Sequence, residues 1–182
     1  MNKKLPDKQK FAQTLQILSR ISYWIHLILG AISGVTLLLV IMSRNATSSG
    51  TWFGTSIGIF SLLTLGLGVY WAYRYRQSAK KLQRIEPTTQ PSRTEIIKLL
   101  RISIITSLVG IFLAFIALEI SLVSLVTDAI ARPQGVAIYE REHIITAADI
   151  LFVLAQLNIL GAHFFGAVYS LGLLSWISKE EV

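Results

Sequence analysis

Cysteine is absent from the 182 residues of this chain, and charged residues are scarce. The absence of cysteine excludes a disulfide framework, a thiol nucleophile, thiolate-bound zinc and cysteine-ligated iron–sulfur clusters. Charged residues make up 15% of the chain, whereas soluble domains contain about 25%. Because 53% of the residues are hydrophobic, much of the chain cannot face water, and disorder is excluded as its main state.

Four long apolar stretches account for most of the sequence. The hydrocarbon core of a bilayer is about 30 Å thick and needs about 20 helical residues with few charges. Residues 21–42 and 52–73 carry no formal charge, whereas residues 102–127 and 147–177 contain one acidic residue each. A membrane barrel would show alternating segments of about ten residues instead. The chain is therefore predicted to be an all-α, polytopic integral membrane protein with four transmembrane helices.

Proline and capping signals predict where these helices begin and end. Pro87 and Pro91 bracket a turn, and Ser92 with Glu95 has the spacing of a capping box. Asp149 completes a second capping box that begins at Thr146. The predicted helices span about residues 21–42, 52–85, 92–131 and 146–178, within a membrane domain of residues 21–178 and before a tail of residues 179–182.

The segment before the first apolar stretch is basic and carries one amphipathic pattern. Phe11, Leu15 and Leu18 share one helical face within residues 1–20, which predicts a short interfacial helix. The apolar stretch that follows is longer than the signal-peptide core of about 7–15 residues. It is therefore expected to be retained as a membrane helix.

The net charge of +7 is distributed unequally between the two membrane faces. The N-terminal segment, the connection of residues 74–101 and the tail together contain fourteen basic and five acidic residues, whereas the other two connections contain three basic and four acidic residues. Because Lys and Arg accumulate on the cytoplasmic side, both termini and the middle connection are predicted to be cytoplasmic. The basic residues beside the middle connection are expected to contact anionic lipid head groups or an acidic partner, and they do not require nucleic acid: Arg74, Arg76, Lys80, Lys81 and Arg84.

Small residues line several of the predicted helices. In lipid, small residues let helices approach closely, and packing drives their association. The third helix has small residues spaced alternately by four and three positions from Ser103 to Ser124. Tight helix packing explains this pattern, and a pathway along the seam is the alternative. The candidate packing residues are Gly30, Gly34, Gly54, Gly58, Ser107, Gly110, Ala114 and Ser121.

The fourth helix carries polar residues every seven positions, at Asp149, Gln156, His163 and Ser170, and Asn158 lies off this line. Polar groups in lipid usually face the bundle interior or a water-filled cavity, and they are functional candidates. Capping explains Asp149, and interhelical hydrogen bonds explain the amide and hydroxyl groups. His163 has the stronger case for function, because imidazole can bind a metal ion or transfer a proton.

Two further residues are candidates for a pathway, and one loop cluster is a candidate for cation binding. His26 in the first helix lies at a depth that permits pairing with His163. Glu119 points away from the small-residue seam and lies near the far interface, where it can reach water. The cluster at residues 140–143 could gather cations, although a solvated loop is the favoured interpretation. No enzyme signature is present, no cofactor is predicted, and any resident metal is undetermined.

The last helix resembles the chloroplast inner-envelope proteins described both as an iron permease and as a translocon component, together with their cyanobacterial relatives. The resemblance rests on Asp149, Asn158, His163-Phe164, Gly166 and Ser170-Leu171, with weaker matches at Tyr23-Trp24, Lys80–Arg84 and Ile97–Arg101. It covers about residues 15–177. A plant transit peptide is missing, so the resemblance implies a cyanobacterial plasma or thylakoid membrane protein. Glu119 stands where the family is expected to have glutamine, and the family has no assigned site residues to transfer.

The resemblance implies a permease-like protein whose substrate is iron or another metal ion. The alternative is a translocon, assembly or accessory subunit that does not itself transport. Four helices leave little room for a pathway, so transport is expected to require a homo-oligomer with the polar faces of helices 3 and 4 turned inward. The expected partners are membrane lipids, further copies of the chain or subunits of a membrane complex, and a metal ion.

Overall fold

The computed structural model describes residues 8–43, 49–83, 91–130 and 147–179. Helices occupy almost all of these residues: α1 (Lys8–Ser43), α2 (Ser49–Leu82), α3 (Arg93–Ile130) and α4 (Ala147–Lys179). Each helix packs against its two neighbours in the cyclic order α1, α2, α3, α4, and α2 also contacts α4 across the diagonal. The described part of the chain is thus a single four-helix bundle.

All four helices are long and apolar enough to cross a membrane. The candidate spans are Ala12–Ser43, Phe53–Leu82, Arg93–Thr127 and Ala147–Ser178. Large apolar side chains are exposed along the outside of the bundle, for example Leu38, Phe112 and Phe164. In water such a surface would associate, whereas in lipid it is at low free energy. The prediction of an all-helical protein with four helices able to span a membrane is confirmed.

The N-terminal part of the chain differs from its prediction. Within the described residues no separate short helix precedes the first membrane helix, because α1 is continuous from Lys8 to Ser43. No proline interrupts this range, so nothing breaks the backbone hydrogen-bond ladder. Leu15 is fully buried in a cluster with Tyr75 of α2, Leu100 of α3 and Leu173 of α4. Its apolar face therefore packs within the bundle instead of on a lipid surface.

The predicted capping box at the start of α3 is confirmed. The backbone N–H of Glu95 donates to Oγ of Ser92 at 3.2 Å, and the N–H of Ser92 donates to Oε2 of Glu95 at 3.0 Å. These bonds satisfy two donors that have no intrahelical partner. At the same end of the bundle, Nη2 of Arg93 donates to the carbonyl oxygen of Ile177 at 2.8 Å and so ties α3 to the end of α4. The second predicted capping box begins at Thr146, outside the described residues.

Candidate functional site: a buried polar column

A column of buried polar side chains runs through the interior of the bundle. The heptad line of α4 faces inward: Gln156, His163 and Ser170 are each 0% exposed. Fourteen residues separate Gln156 from Ser170, which corresponds to about 21 Å of helix, or about two thirds of the hydrocarbon thickness. We call the following set, in which all side chains are buried except the partly buried Thr64, the polar column: His26, Ser61, Thr64, Ser103, Ser107, Gln156, His163 and Ser170.

Hydrogen bonds join α4 to α2 in one half of the column. Oγ of Ser61 lies 2.8 Å from the carbonyl oxygen of Gly58 and 3.0 Å from Oε1 of Gln156. The hydroxyl of Thr64 donates to the carbonyl oxygen of Ser61 at 2.7 Å, and its Oγ1 lies 3.1 Å from Nε2 of His163. Because the Thr64 hydroxyl hydrogen is already used, Thr64 accepts, and Nε2 of His163 carries the proton. His163 is therefore oriented by a group on α2.

In the other half of the column, His26 is held by its own helix. Nδ1 of His26 lies 2.8 Å from the carbonyl oxygen of Ser22. A carbonyl oxygen only accepts, so Nδ1 is the donor, and in the neutral ring Nε2 keeps an unshared lone pair. On α4, about two turns beyond His163, Oγ of Ser170 donates to Oγ of Ser103 at 3.3 Å. This bond links α4 to α3.

The structure brings the two histidines together. Their ring centroids are 6.4 Å apart, and the ring planes are nearly perpendicular at 86°. His26 is 2% exposed and His163 is 0% exposed. The sequence placed them only at compatible depths, and the packing of α1 against α4 makes them neighbours.

Glycines in neighbouring helices provide the space that these polar side chains occupy. A Cβ atom at Gly110 of α3 would overlap the His163 ring, and one at Gly58 of α2 would overlap the Gln156 amide. A Cβ atom would lie 2.6 Å from the His26 ring at Gly68 and 2.9 Å from its Nε2 at Gly166. Helix glycines cost about 1 kcal/mol each relative to alanine, and here each one admits a polar ring or amide.

Two polar atoms of the column have no partner among the described residues. They are Nδ1 of His163 and Nε2 of Gln156, and both are buried. Buried polar groups in native proteins are nearly always paired, and an unpaired donor or acceptor costs about 1–3 kcal/mol. Nε2 of Gln156 is a donor that would be satisfied by an acceptor such as a water oxygen, whereas the lone pair on Nδ1 of His163 would stabilise a water molecule, a cation or a proton.

The column reaches the outer surface of the bundle beside His26. A groove of about 310 Å³ between α1 and α2 is lined by His26 together with Gly30, Leu62, Leu65 and Gly66, among others. His163 does not line this groove, and the ring is closely surrounded by Gly110 and Thr64. Access from the surface thus leads to His26 first.

The remaining predicted site residues lie outside the column. Glu119 is exposed on α3, and Gly54, near the start of α2, packs against its neighbour Ile120. Asp149 lies in the first turn of α4, where a carboxylate is favoured by the helix dipole. Asn158 is partly buried but is not a member of the column. Within the described residues no group of three His, Asp or Glu side chains could hold a metal ion, and the cluster at residues 140–143 lies outside them.

The predicted packing residues lie at helix contacts. A Cβ atom at Gly30 would lie 3.3 Å from Leu65, one at Gly34 would lie 3.8 Å from Leu62, and one at Gly54 would lie 3.2 Å from Ile120. Ala114 is fully buried, Ser107 is 3% exposed, and Ser121 is partly buried with its hydroxyl bonded to the carbonyl oxygen of Ala117. The seam of α3 thus faces the interior of its own chain.

The basic residues near the end of α2 are mostly on the surface. Arg74, Lys80 and Lys81 are exposed and Arg76 is partly buried, whereas Arg84 lies outside the described residues. Sequence reasoning did not identify Thr64 as a site residue. The sequence gives little indication of this role, since a threonine in an apolar helix usually bonds to its own backbone. Only the contact between α2 and α4 places Thr64 beside His163.

These features define a polytopic membrane protein whose four-helix bundle encloses a histidine-containing polar column. The chain belongs to the family described as protein of unknown function DUF3611, whose model matches residues 5–178. It is 28% identical to Protein TIC 21, chloroplastic, of Arabidopsis thaliana over 184 aligned residues, which cover 92% of this chain and 61% of that protein. The chain thus spans less than two thirds of its relative's length. The resemblance inferred from the last helix is confirmed, and no solved structure matches the chain.

Proposed function

We propose that this chain is a permease-like membrane protein and that the polar column is the closed form of its pathway. The observation that carries the proposal is the pair of neighbouring histidines, buried in the bundle, with an unpartnered ring nitrogen on His163. Interhelical hydrogen bonds in membrane proteins average about 0.6 kcal/mol. This gain is smaller than the cost of leaving a buried polar atom unpaired, so stability alone is a weak reason for the column.

The relative supports a membrane role and leaves the cargo open. The family resemblance implies iron or another metal ion as the substrate, and the column is the part of the described structure where imidazole, hydroxyl and amide groups converge. We place the pathway within one chain, because the inward faces of α3 and α4 are already buried there. Homo-oligomers would then assemble through the exposed apolar faces.

Metal uptake into proteoliposomes tests the proposal. The purified chain is reconstituted, and uptake of ferrous, cuprous and zinc ions is followed with an encapsulated chelating dye. We expect His163→Ala and Thr64→Val to reduce uptake by at least about tenfold, since one removes the ring and the other removes its orienting acceptor. Glu119→Gln is expected to leave uptake unchanged, because that side chain is exposed and lies outside the column.

Thr106→Val is the matched control for Thr64→Val. The hydroxyl of Thr106 bonds only to the carbonyl oxygen of Ile102 in its own helix, at 2.9 Å. Equal uptake by wild type and the His163→Ala, Glu119→Gln double variant would remove both residues from the mechanism. Absence of movement for every ion would overturn the permease proposal itself.

A second candidate function is a non-transporting subunit of a translocon, assembly or accessory complex. The close packing of Gly110 and Thr64 around His163 favours it, because the groove beside His26 does not extend to this ring. Crosslinking in native membranes distinguishes the two functions. Recovery of a stoichiometric partner together with absent ion uptake would support the subunit function, and recovery of self-crosslinks alone would contradict it.

The proposal also includes the orientation of the chain, the membrane in which it lies and its contacts with lipid. We place the termini and the basic end of α2 in the cytoplasm, in a plasma or thylakoid membrane, on the basis of the charge distribution and the resemblance. The exposed Arg74, Lys80 and Lys81 would then lie at an anionic leaflet. Each basic residue near such a surface contributes about 1 kcal/mol of attraction.

A further inference from the structure

The hydrogen bonds of the two histidines fix which ring nitrogens are free. The carbonyl oxygen of Ser22 accepts from Nδ1 of His26, which in the neutral ring leaves Nε2 with a lone pair. Thr64 accepts from Nε2 of His163, which leaves Nδ1 with a lone pair, and this atom is buried and unpartnered. Each ring thus presents one unused acceptor inside the bundle.

The packing makes the two imidazole rings neighbours. Nε2 of His26 lies against Gly166 of α4, one helical turn from His163, and a Cβ atom at Gly166 would lie only 2.9 Å from it. The ring centroids are 6.4 Å apart. A metal ion bonded at about 2.0–2.1 Å to each nitrogen would occupy about 4 Å of that separation, and the two ring radii occupy the rest.

The charge balance around the pair selects the kind of cation. The column contains hydroxyl, amide and imidazole groups and no carboxylate, and no group of three metal-ligating His, Asp or Glu side chains exists within the described ranges. The desolvation cost of an ion rises with the square of its charge, so an uncompensated divalent ion costs about four times as much as a monovalent one. Sodium and potassium are poor alternatives, because hard cations prefer oxygen ligands.

We propose that His26 and His163 together bind one cuprous ion through their free ring nitrogens. Copper follows from the ligands and the charge, since copper is the one metal among those that suit imidazole that is stable as a monovalent ion. The monovalent state follows from the missing carboxylates. This inference deepens the proposed function by naming the ion that rests in the column, and it departs from the iron that the resemblance implies.

Cuprous titration of the full-length chain in detergent micelles tests the inference. Under anaerobic conditions, binding is measured by competition with a colorimetric cuprous chelator, with silver(I) as an air-stable second probe and zinc and ferrous ions as divalent comparisons. We expect one cuprous ion per chain, bound at least about tenfold more tightly than either divalent ion. X-ray absorption of the wild-type complex should show two nitrogen neighbours at the copper, which requires no variant to fold.

Single substitutions then assign the ligands. His26→Ala and His163→Ala should each weaken cuprous binding by at least about tenfold. Thr106→Val, which removes a hydroxyl that bonds within its own helix, provides the control and should bind as the wild type does. Thermal unfolding of each variant in micelles shows whether lost binding reflects lost structure.

Several outcomes would overturn the inference. Equal or tighter zinc binding at the pair would contradict the monovalent assignment, and undiminished binding in both histidine variants would contradict the ligand assignment. Absence of binding by both cuprous ion and silver would contradict the metal site itself. Tight cuprous binding without uptake into proteoliposomes would contradict the permease proposal and support this inference. Histidine-dependent uptake of iron without cuprous binding would support the permease proposal and contradict this inference.

Discussion

At the scale of single residues, the bundle pairs large polar side chains with glycines on the opposing helix. Gly110 faces His163, Gly58 faces Gln156, and Gly68 with Gly166 encloses His26. Protein interiors are packed as densely as organic crystals, so such a position does not accept an added methyl group freely. The same sequence contains Gly161, where a Cβ atom would meet nothing within 4 Å. The role of each glycine therefore depends on its partner across the interface.

This difference predicts the effect of two alanine substitutions. Gly110→Ala should lower the free energy of unfolding by about 1–3 kcal/mol, because the new methyl group overlaps the His163 ring. Gly161→Ala should be neutral or stabilising by up to about 1 kcal/mol, since alanine is the better helix former. Chemical unfolding of both variants in mixed micelles measures the difference. Equal stabilities would contradict the packing argument.

At the scale of the helices, local sequence signals determine the ends and tertiary contacts hold them in place. The Ser92–Glu95 box begins α3. Arg93 and the α4 carbonyl of Ile177 then bring the two helices together at the basic end. Beneath them, Leu15, Tyr75, Leu100 and Leu173 form a cluster with contributions from all four helices. The bundle thus stays closed at the basic end, beyond the polar column.

Loss of the cap should loosen the start of α3 in particular. Ser92→Ala removes the oxygen that accepts from the N–H of Glu95, and such substitutions cost about 1 kcal/mol. Amide hydrogen exchange in residues 93–97 should therefore accelerate about fivefold or more. Thr94→Ala, at an exposed position one turn or less away, is the control. Unchanged exchange after Ser92→Ala would show that the Arg93 contact alone holds this end.

The helix boundaries could be predicted from the sequence to within a few residues, with the exception of α1. Proline, capping spacing and the ends of apolar runs are local signals, and they act through the backbone near them. The start of α1 at Lys8 was missed because the burial of Leu15 depends on residues from three other helices. A local amphipathic pattern does not distinguish a lipid surface from a bundle interior.

At the scale of the whole molecule, charge asymmetry and apolar length together describe a membrane protein with two different faces. In the topology predicted from the sequence, the connections and termini on one side carry fourteen basic residues, and those on the other side carry three. No acidic side chain accompanies the histidines in the polar column. The charge of the chain is thus concentrated at the membrane surfaces, and its interior is polar and formally uncharged.

The absence of cysteine makes the sidedness directly measurable. Lys81→Cys and Ser43→Cys each introduce a single thiol at an exposed position near opposite ends of the bundle. We expect a membrane-impermeant maleimide added to intact cells to label Ser43→Cys, whereas Lys81→Cys should be labelled only after permeabilisation. The reverse pattern would show that the basic face is not cytoplasmic.

The sequence by itself determined that the chain folds in a membrane, where its helices lie, and which helix faces carry the polar and the small residues. These properties follow from apolar length, local capping and the helical period, all of which act over a few turns. Only the tertiary structure decided that His26 meets His163, that Thr64 orients one ring, and that Glu119 lies apart on the surface. The reason is that side-chain partners across a bundle are set by the rotation and vertical offset of whole helices. Those two quantities depend on where glycines and large side chains from four separate segments fit together.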